Sequence, residues 1–204
     1  MIKHIIFDFS GVFVAGNRTS RFCSHLSLSN YDKANVESYF ASEKIKESAT
    51  GHGSEENILE DLAEVIPRRP ESLIEQAFDF TCKPSQNMLA LLSELKKTGY
   101  KVSLVSNSIP SYSARIRKNT LLCFDDVYLS DEQGLRKQNG LYEKIVAANP
   151  LFFNDSVYID DQLENLDFPQ LHGSAVIHYK AFESLLAQLR ELGVRPILAL
   201  NNWS

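Results

Sequence analysis

Four short stretches of the chain carry side chains able to do chemistry, and each follows an apolar run. Asp8 closes KHIIFD with Ser10 two residues later, Ser106 and Asn107 close KVSLVSN, Lys137 lies in SDEQGLRKQ, and Asp160 and Asp161 close SVYIDD. Carboxylates at two places, a hydroxyl beside an amide, and an ammonium form a set suited to phosphoryl chemistry. An aspartate can serve as nucleophile, hard oxygen ligands can hold a divalent cation, and the donors can neutralise a phosphate. Magnesium is the natural cation, since it binds through one or two carboxylates and keeps several waters. Each stretch alone has a plainer explanation: an Asp-initiated turn at Asp8, a helix N-cap pair before QLENL, a turn at Ser106 and Asn107, a solvated lysine at 137. Four of them at the ends of four successive predicted strands are much harder to explain that way.

The elements that must position these residues follow from hydrophobic periodicity. Ile5, Ile6 and Phe7 run too continuously for a half-exposed strand and predict one buried on both faces, as in parallel sheets. Ser10 and Gly11 then mark a tight turn in which a glycine lets the backbone approach a ligand. From Ala15 to about Cys82 the pattern is polar and helix-periodic, with no strand between the helices. Ser54 is a candidate N-cap, with Glu55 and Glu56 in the first turn. Pro84 opens an amphipathic helix closed by Gly99, and strands and helices alternate from there: strands at 101–106, 126–129, 156–159 and 174–177, helices at 110–119, 141–148, 162–166 and 181–192. The tail VRPILALNNWS reads as an edge strand or a docked extension. The expected architecture is a doubly wound, Rossmann-like α/β core over residues 1–14 and 83–204, with an all-helical segment over 15–82 inserted after the first strand. That insertion, roughly 65 residues, is far beyond an ordinary connection. In such sheets ligands bind outside the carboxyl ends of the strands, where the four stretches fall.

Composition narrows the partners. The 204 residues are 44% hydrophobic and 23% charged with a formal net charge of −5, the profile of a globular protein with no basic footprint for nucleic acid. Cys23, Cys82 and Cys123 are odd in number and lack CxxC spacing, which predicts buried free thiols and neither a disulfide framework nor a zinc site. No signal peptide or membrane-length apolar segment is read, so a cytoplasmic protein is expected, with no membrane partner. Oligomeric state is not legible.

Taken in order, these stretches resemble the motifs of the haloacid dehalogenase-like hydrolases across nearly the whole chain. IIFDFSGVF is similar to the first motif, KVSLVSNS to the second, GLRKQNGLYEKIV to the third and VYIDDQLENL to the fourth, and the insertion falls where that family carries a helical cap. The resemblance implies that Asp8 is a nucleophile forming an aspartyl-phosphate and also a magnesium ligand. It implies that Ser10 offers its backbone carbonyl to the metal, that Ser106 and Asn107 bind the phosphoryl group, and that Lys137 pairs with phosphate and Asp8. Asp161 would ligate magnesium, with Asp160 nearby or acting through water. The implied activity is a magnesium-dependent phosphatase acting on a small phosphorylated metabolite.

Ser10 departs from the pattern, because phosphatases of the family usually carry there an Asp that protonates the leaving oxygen. A serine hydroxyl cannot do so near neutral pH, and general acid-base help is typically worth about 10² to 10⁴ in rate. DFSGV is closer to the family branches that begin DFGGV. His52 in the GHG loop is a weak substitute candidate, and Arg18, Arg21 and His25 are candidate specificity residues. Alternatives are a non-catalytic phosphate-binding or regulatory member, a 2-haloacid dehalogenase, and, less attractive, a phosphosugar mutase.

Overall fold

The computed structural model describes residues 1–14, 16–120 and 123–194. The expected strand or extension of the tail lies outside them, apart from Val194. Five parallel strands, β1 (His4–Phe7), β2 (Lys101–Ser106), β3 (Asp126–Leu129), β4 (Ser156–Asp160) and β5 (Ala175–His178), form one sheet in the order β3-β2-β1-β4-β5. The chain winds outward from β1 to β3 and then returns to the other side, so the winding reverses at β1 and β4. This is a Rossmann-like α/β fold. In register, Phe7 pairs with both Leu104 and Ile159, which levels the ends of the three central strands. Asp8 therefore emerges beside Asp160, and its N–H donates to the Ile159 carbonyl (2.9 Å).

The continuous apolar run of β1 is explained by burial on both faces. Ile5 and Phe7 join one apolar cluster and Ile6 another, as the period of two requires. The second cluster packs Val105, Tyr142, Ile145, Phe153 and Tyr158 under the far face.

Among the described residues, five helices lie between β1 and the helix opened by Pro84: α1 (Arg18–His25), α2 (Asn30–Ala41), α3 (Glu43–Ser48), α4 (Glu55–Val65) and α5 (Glu71–Thr81). Asn17, Ser29, Ser42 and Ser54 each cap one of them by accepting from a backbone N–H three residues on. The apolar core of this segment is continuous with the first cluster of the sheet. Phe22, Phe40 and Phe78 converge on Tyr112 of α7 (Pro110–Thr120), with Phe78 and Tyr112 ring centroids 5.0 Å apart. Arg115 of the same helix donates to Asp79 (2.7 Å) and pairs with Glu55, tying α4 and α5 to the sheet layer. The intervening helix α6 (Gln86–Lys97) is capped by Ser85 and ends before Gly99, at φ +88°.

Beyond β3 come α8 (Ser130–Gln133), a 3-10 turn at Lys137–Asn139, and α9 (Leu141–Ala148). A 3-10 turn at Leu163–Asn165, α10 (Asp167–Leu171) and α11 (Phe182–Glu191) complete the described chain. The periodicity did not predict α8, and where it has a helix beginning over 162–166 the chain makes the 3-10 turn that leads into α10. Pro169 hides α10, although a proline in a first turn forfeits only an N–H that would be unpaired there. No helix among the described residues is long and apolar enough to cross a membrane.

His4, at the start of β1, is buried, with Nδ1 3.0 Å from the Phe152 carbonyl and Nε2 2.8 Å from Ser103 Oγ. Burial pushes its pKa down from 6.5 to about 4. The unfolded chain thus takes up a proton that the folded chain refuses, so this contribution is present above pH 6.5 and lost as pH falls through 4. Urea unfolding should show the difference between wild type and His4→Gln shrinking by roughly 3 kcal/mol from pH 7.5 to 4. A difference independent of pH would contradict a neutral buried ring.

Candidate active site

Asp8 follows β1 directly and is 6% exposed. Its Oδ1 accepts from Lys137 Nζ at 2.6 Å, and the same ammonium donates to Asp160 Oδ2 at 2.7 Å. The sheet brings the two carboxylates to one end, and the 3-10 turn after β3 delivers the lysine between them. Burial pushes the Asp8 carboxyl up to about 6 although Lys137 opposes the shift. Burial also works against the Lys137 charge, but Asp160 and Asp8 outweigh it and its pKa is raised. The lysine is a fixed cation.

A ring of amides holds this group in place. The Asn107 side chain accepts from Lys137 N–H (2.9 Å) and donates to Gln138 Oε1 (2.9 Å); Gln138 donates to Asn165 Oδ1 (2.9 Å). Asn165 in turn donates to both oxygens of Asp160 (3.0 and 3.2 Å), which also accept from Gln162 N–H and the Tyr158 hydroxyl. Asp160 is fully buried and its oxygens are taken up by these donors.

Asp161 is different. Its Oδ1 is buried without a hydrogen-bond partner among the described residues, and burial, then Asp160, raises its pKa. Carboxylate oxygens of Asp8, Asp160 and Asp161 lie within 4.8 Å of one another, a grouping able to hold a metal ion. Gly11 makes room for it: a Cβ there would stand 2.2 Å from Asp161 Oδ2, and its φ of +83° suits glycine alone.

Ser10 Oγ accepts from Arg18 Nε (2.8 Å), and Arg18 Nη2 donates to the Asn107 carbonyl (3.1 Å). Thus Arg18, at the first position of α1, joins the loops after β1 and β2. Ser106 is buried and its Oγ reaches only the Asn107 carbonyl, at 3.3 Å. The structure therefore brings Asp8, Ser10, Asn107, Lys137, Asp160 and Asp161 into one connected group, with Ser106 at its edge. The other candidates lie elsewhere. His52 is exposed, with Nδ1 3.1 Å from Thr50 Oγ1, while Arg21 and His25 pack on Phe80. Sequence reasoning missed Gln138, Tyr158 and Asn165. Their one signal was an amide or hydroxyl within a few residues of a predicted site residue.

A parallel Rossmann-like sheet with its charged side chains gathered at the carboxyl ends of the strands is the framework of an α/β enzyme. The chain belongs to the haloacid dehalogenase-like hydrolases, whose family model matches residues 5–178. It is 28% identical over 114 residues to a sesquiterpene phosphatase of Aspergillus oryzae, a match covering 54% of this chain and 58% of that protein. The chain thus matches just over half the length of that relative. A HAD family enzyme of Bacteroides thetaiotaomicron, solved as a magnesium complex, superposes with a TM-score of 0.74 at 20% identity, covering 93% of this chain and 98% of that one. The L-2-haloacid dehalogenase of Xanthobacter autotrophicus superposes with a TM-score of 0.60 at 16% identity, covering 97% and 86%. At these identities the two structures show a shared fold.

Replacing Lys137 by Met leaves Asp8 and Asp160 buried together without their cation. Breaking a buried pair by removing one partner typically costs about 3–5 kcal/mol, and chemical denaturation of Lys137→Met should show a loss of that order. A loss below about 1 kcal/mol, the scale of an exposed pair, would mean that the carboxylates do not depend on the lysine.

Proposed function

We propose that this hydrolase is a magnesium-dependent phosphatase acting on a small phosphorylated metabolite through an aspartyl-phosphate on Asp8. The observation that carries the reading is the pairing of a lysine-held carboxylate, Asp8, with a neighbouring carboxylate oxygen, Asp161 Oδ1, that is buried and unpartnered. An orphaned anionic oxygen in a hard-oxygen cluster fits a magnesium ion. Asp8, Asp161 and the Ser10 carbonyl would hold it, with Asp160 acting through water while it positions Lys137. The ion would neutralise charge on the phosphoryl oxygens. Dehalogenation, in which an aspartate attacks carbon, needs no cation and leaves the Asp161 oxygen unexplained.

In this reading Asp8 attacks phosphorus, Lys137 offsets the negative charge that it shares with the phosphoryl group, and Ser106 and Asn107 bind the phosphoryl oxygens. The helices of residues 15–82 act as a cap over the strand ends, contributing Arg18. The phosphatase relative and the magnesium-bound structure of similar fold support the assignment. The reading places the enzyme in the cytoplasm, where its three free thiols would stay reduced.

Release of inorganic phosphate from a panel of phosphorylated metabolites should require magnesium, stop with EDTA, and fall at least about 10³-fold in Asp8→Asn, as for loss of a nucleophile. Release that survives both treatments would overturn the proposal.

A further inference from the structure

Resting on the phosphatase reading above, we propose that the substrate is an organic diphosphate with an apolar body, whose second phosphate is held by Arg18 and Arg136 and departs as the leaving group. Arg18 stands beside Ser10, where a proton donor to the leaving oxygen is lacking. Nε and Nη2 are used on Ser10 Oγ and the Asn107 carbonyl, and the guanidinium carbon lies 4.3 Å over the Tyr112 ring. Nη1 is buried with no partner among the described residues. A guanidinium does not replace the carboxylic acid that an alkoxide leaving group calls for, but its planar fork of donors is well shaped to stabilise a departing phosphate. Such a leaving group needs no proton.

The surroundings of Arg18 point the same way. It lines both a cavity that includes Ser10, Gly11 and Asp161 and a second one, of about 410 Å³, that includes Arg136. Arg136 precedes Lys137, and its Nε is also buried without a partner. An unmet buried donor is costly, and the described residues supply no return for either guanidinium nitrogen. An anion between them would. Phe40, Ile45, Ala49 and Ile109 line the same cavity and offer an apolar body its place.

The step balances without a further reactant. An Asp8 oxygen bonds to the terminal phosphorus, the bridging P–O bond breaks, and its electron pair leaves on the organic monophosphate beside Arg18 and Arg136. Water then attacks the aspartyl-phosphate, its oxygen passing to phosphorus and its proton to solvent, which frees Asp8 and inorganic phosphate.

Steady-state kinetics on p-nitrophenyl phosphate, decyl phosphate and decyl diphosphate, with calorimetry on the methylene-bridged analogue of decyl diphosphate, test the assignment. Wild type should prefer decyl diphosphate over decyl phosphate by about 10² or more in kcat/KM, the scale of a lost leaving-group interaction. Arg136→Met should cut that preference, and the affinity for the analogue, by about tenfold or more. Turnover of p-nitrophenyl phosphate without a diphosphate preference, or a preference unmoved in Arg136→Met, overturns the diphosphate site and leaves the phosphatase reading standing. If none of the three compounds is turned over, the diphosphate assignment is overturned, and the metabolite panel above decides the phosphatase reading by itself.

Discussion

The ammonium of Lys137, buried between Asp8 and Asp160, is the interaction on which the site depends. Two carboxylates this close and this dry repel each other, and one of them would take up a proton without a cation between them. Lys137 prevents that, and the protein fixes the lysine in turn. Its backbone N–H is bound by Asn107, and its second carboxylate is held by Asn165, Gln162 and Tyr158. Segments following β1, β2, β3 and β4 are thereby locked together, which gives the fold a reason to keep a costly charged cluster at its centre. A buried ion pair is weak grounds for stability in general, so its value here lies in positioning.

Much of this was legible in the sequence because strand ends are legible. The continuous runs IIF, VSLV and VYI read as buried strands, and the residue after each run then emerges at the carboxyl edge of the sheet. What the sequence could not separate were Asp160 and Asp161. Adjacent residues at a strand end project to opposite sides, so one carboxylate is absorbed by the amide ring while the other keeps a bare oxygen. That difference depends on Asn165, Tyr158 and Gln162, which read individually as turn and core residues. Arg18 was legible only as a cap residue of possible specificity. Its reach back to Ser10 depends on the turn at Gly11 and on Asn17 capping α1, neither of which fixes a side-chain direction in sequence.

In the proposed reading the helical segment takes part in the chemistry as well as covering the strand ends. Aromatic packing of Phe22, Phe40 and Phe78 against Tyr112 seats α1 so that the Arg18 guanidinium stands over the same tyrosine and crosses from one strand end to the next. Where relatives of the resembling type place a carboxyl, this chain has a serine hydroxyl already committed to a guanidinium. In the proposed reading a guanidinium stands where a proton donor would, and that exchange favours leaving groups that need no proton. Ser10 and Arg18 are best regarded as one device.

The proposed role of Asp8 is tested most directly by trapping the intermediate. After acid quench of the magnesium-loaded enzyme during turnover of a good phosphoryl donor, peptide mapping by mass spectrometry should place a phosphoryl group on Asp8. Phosphate release with the label on another residue, or with no covalent label under conditions that preserve acyl phosphates, would contradict the account.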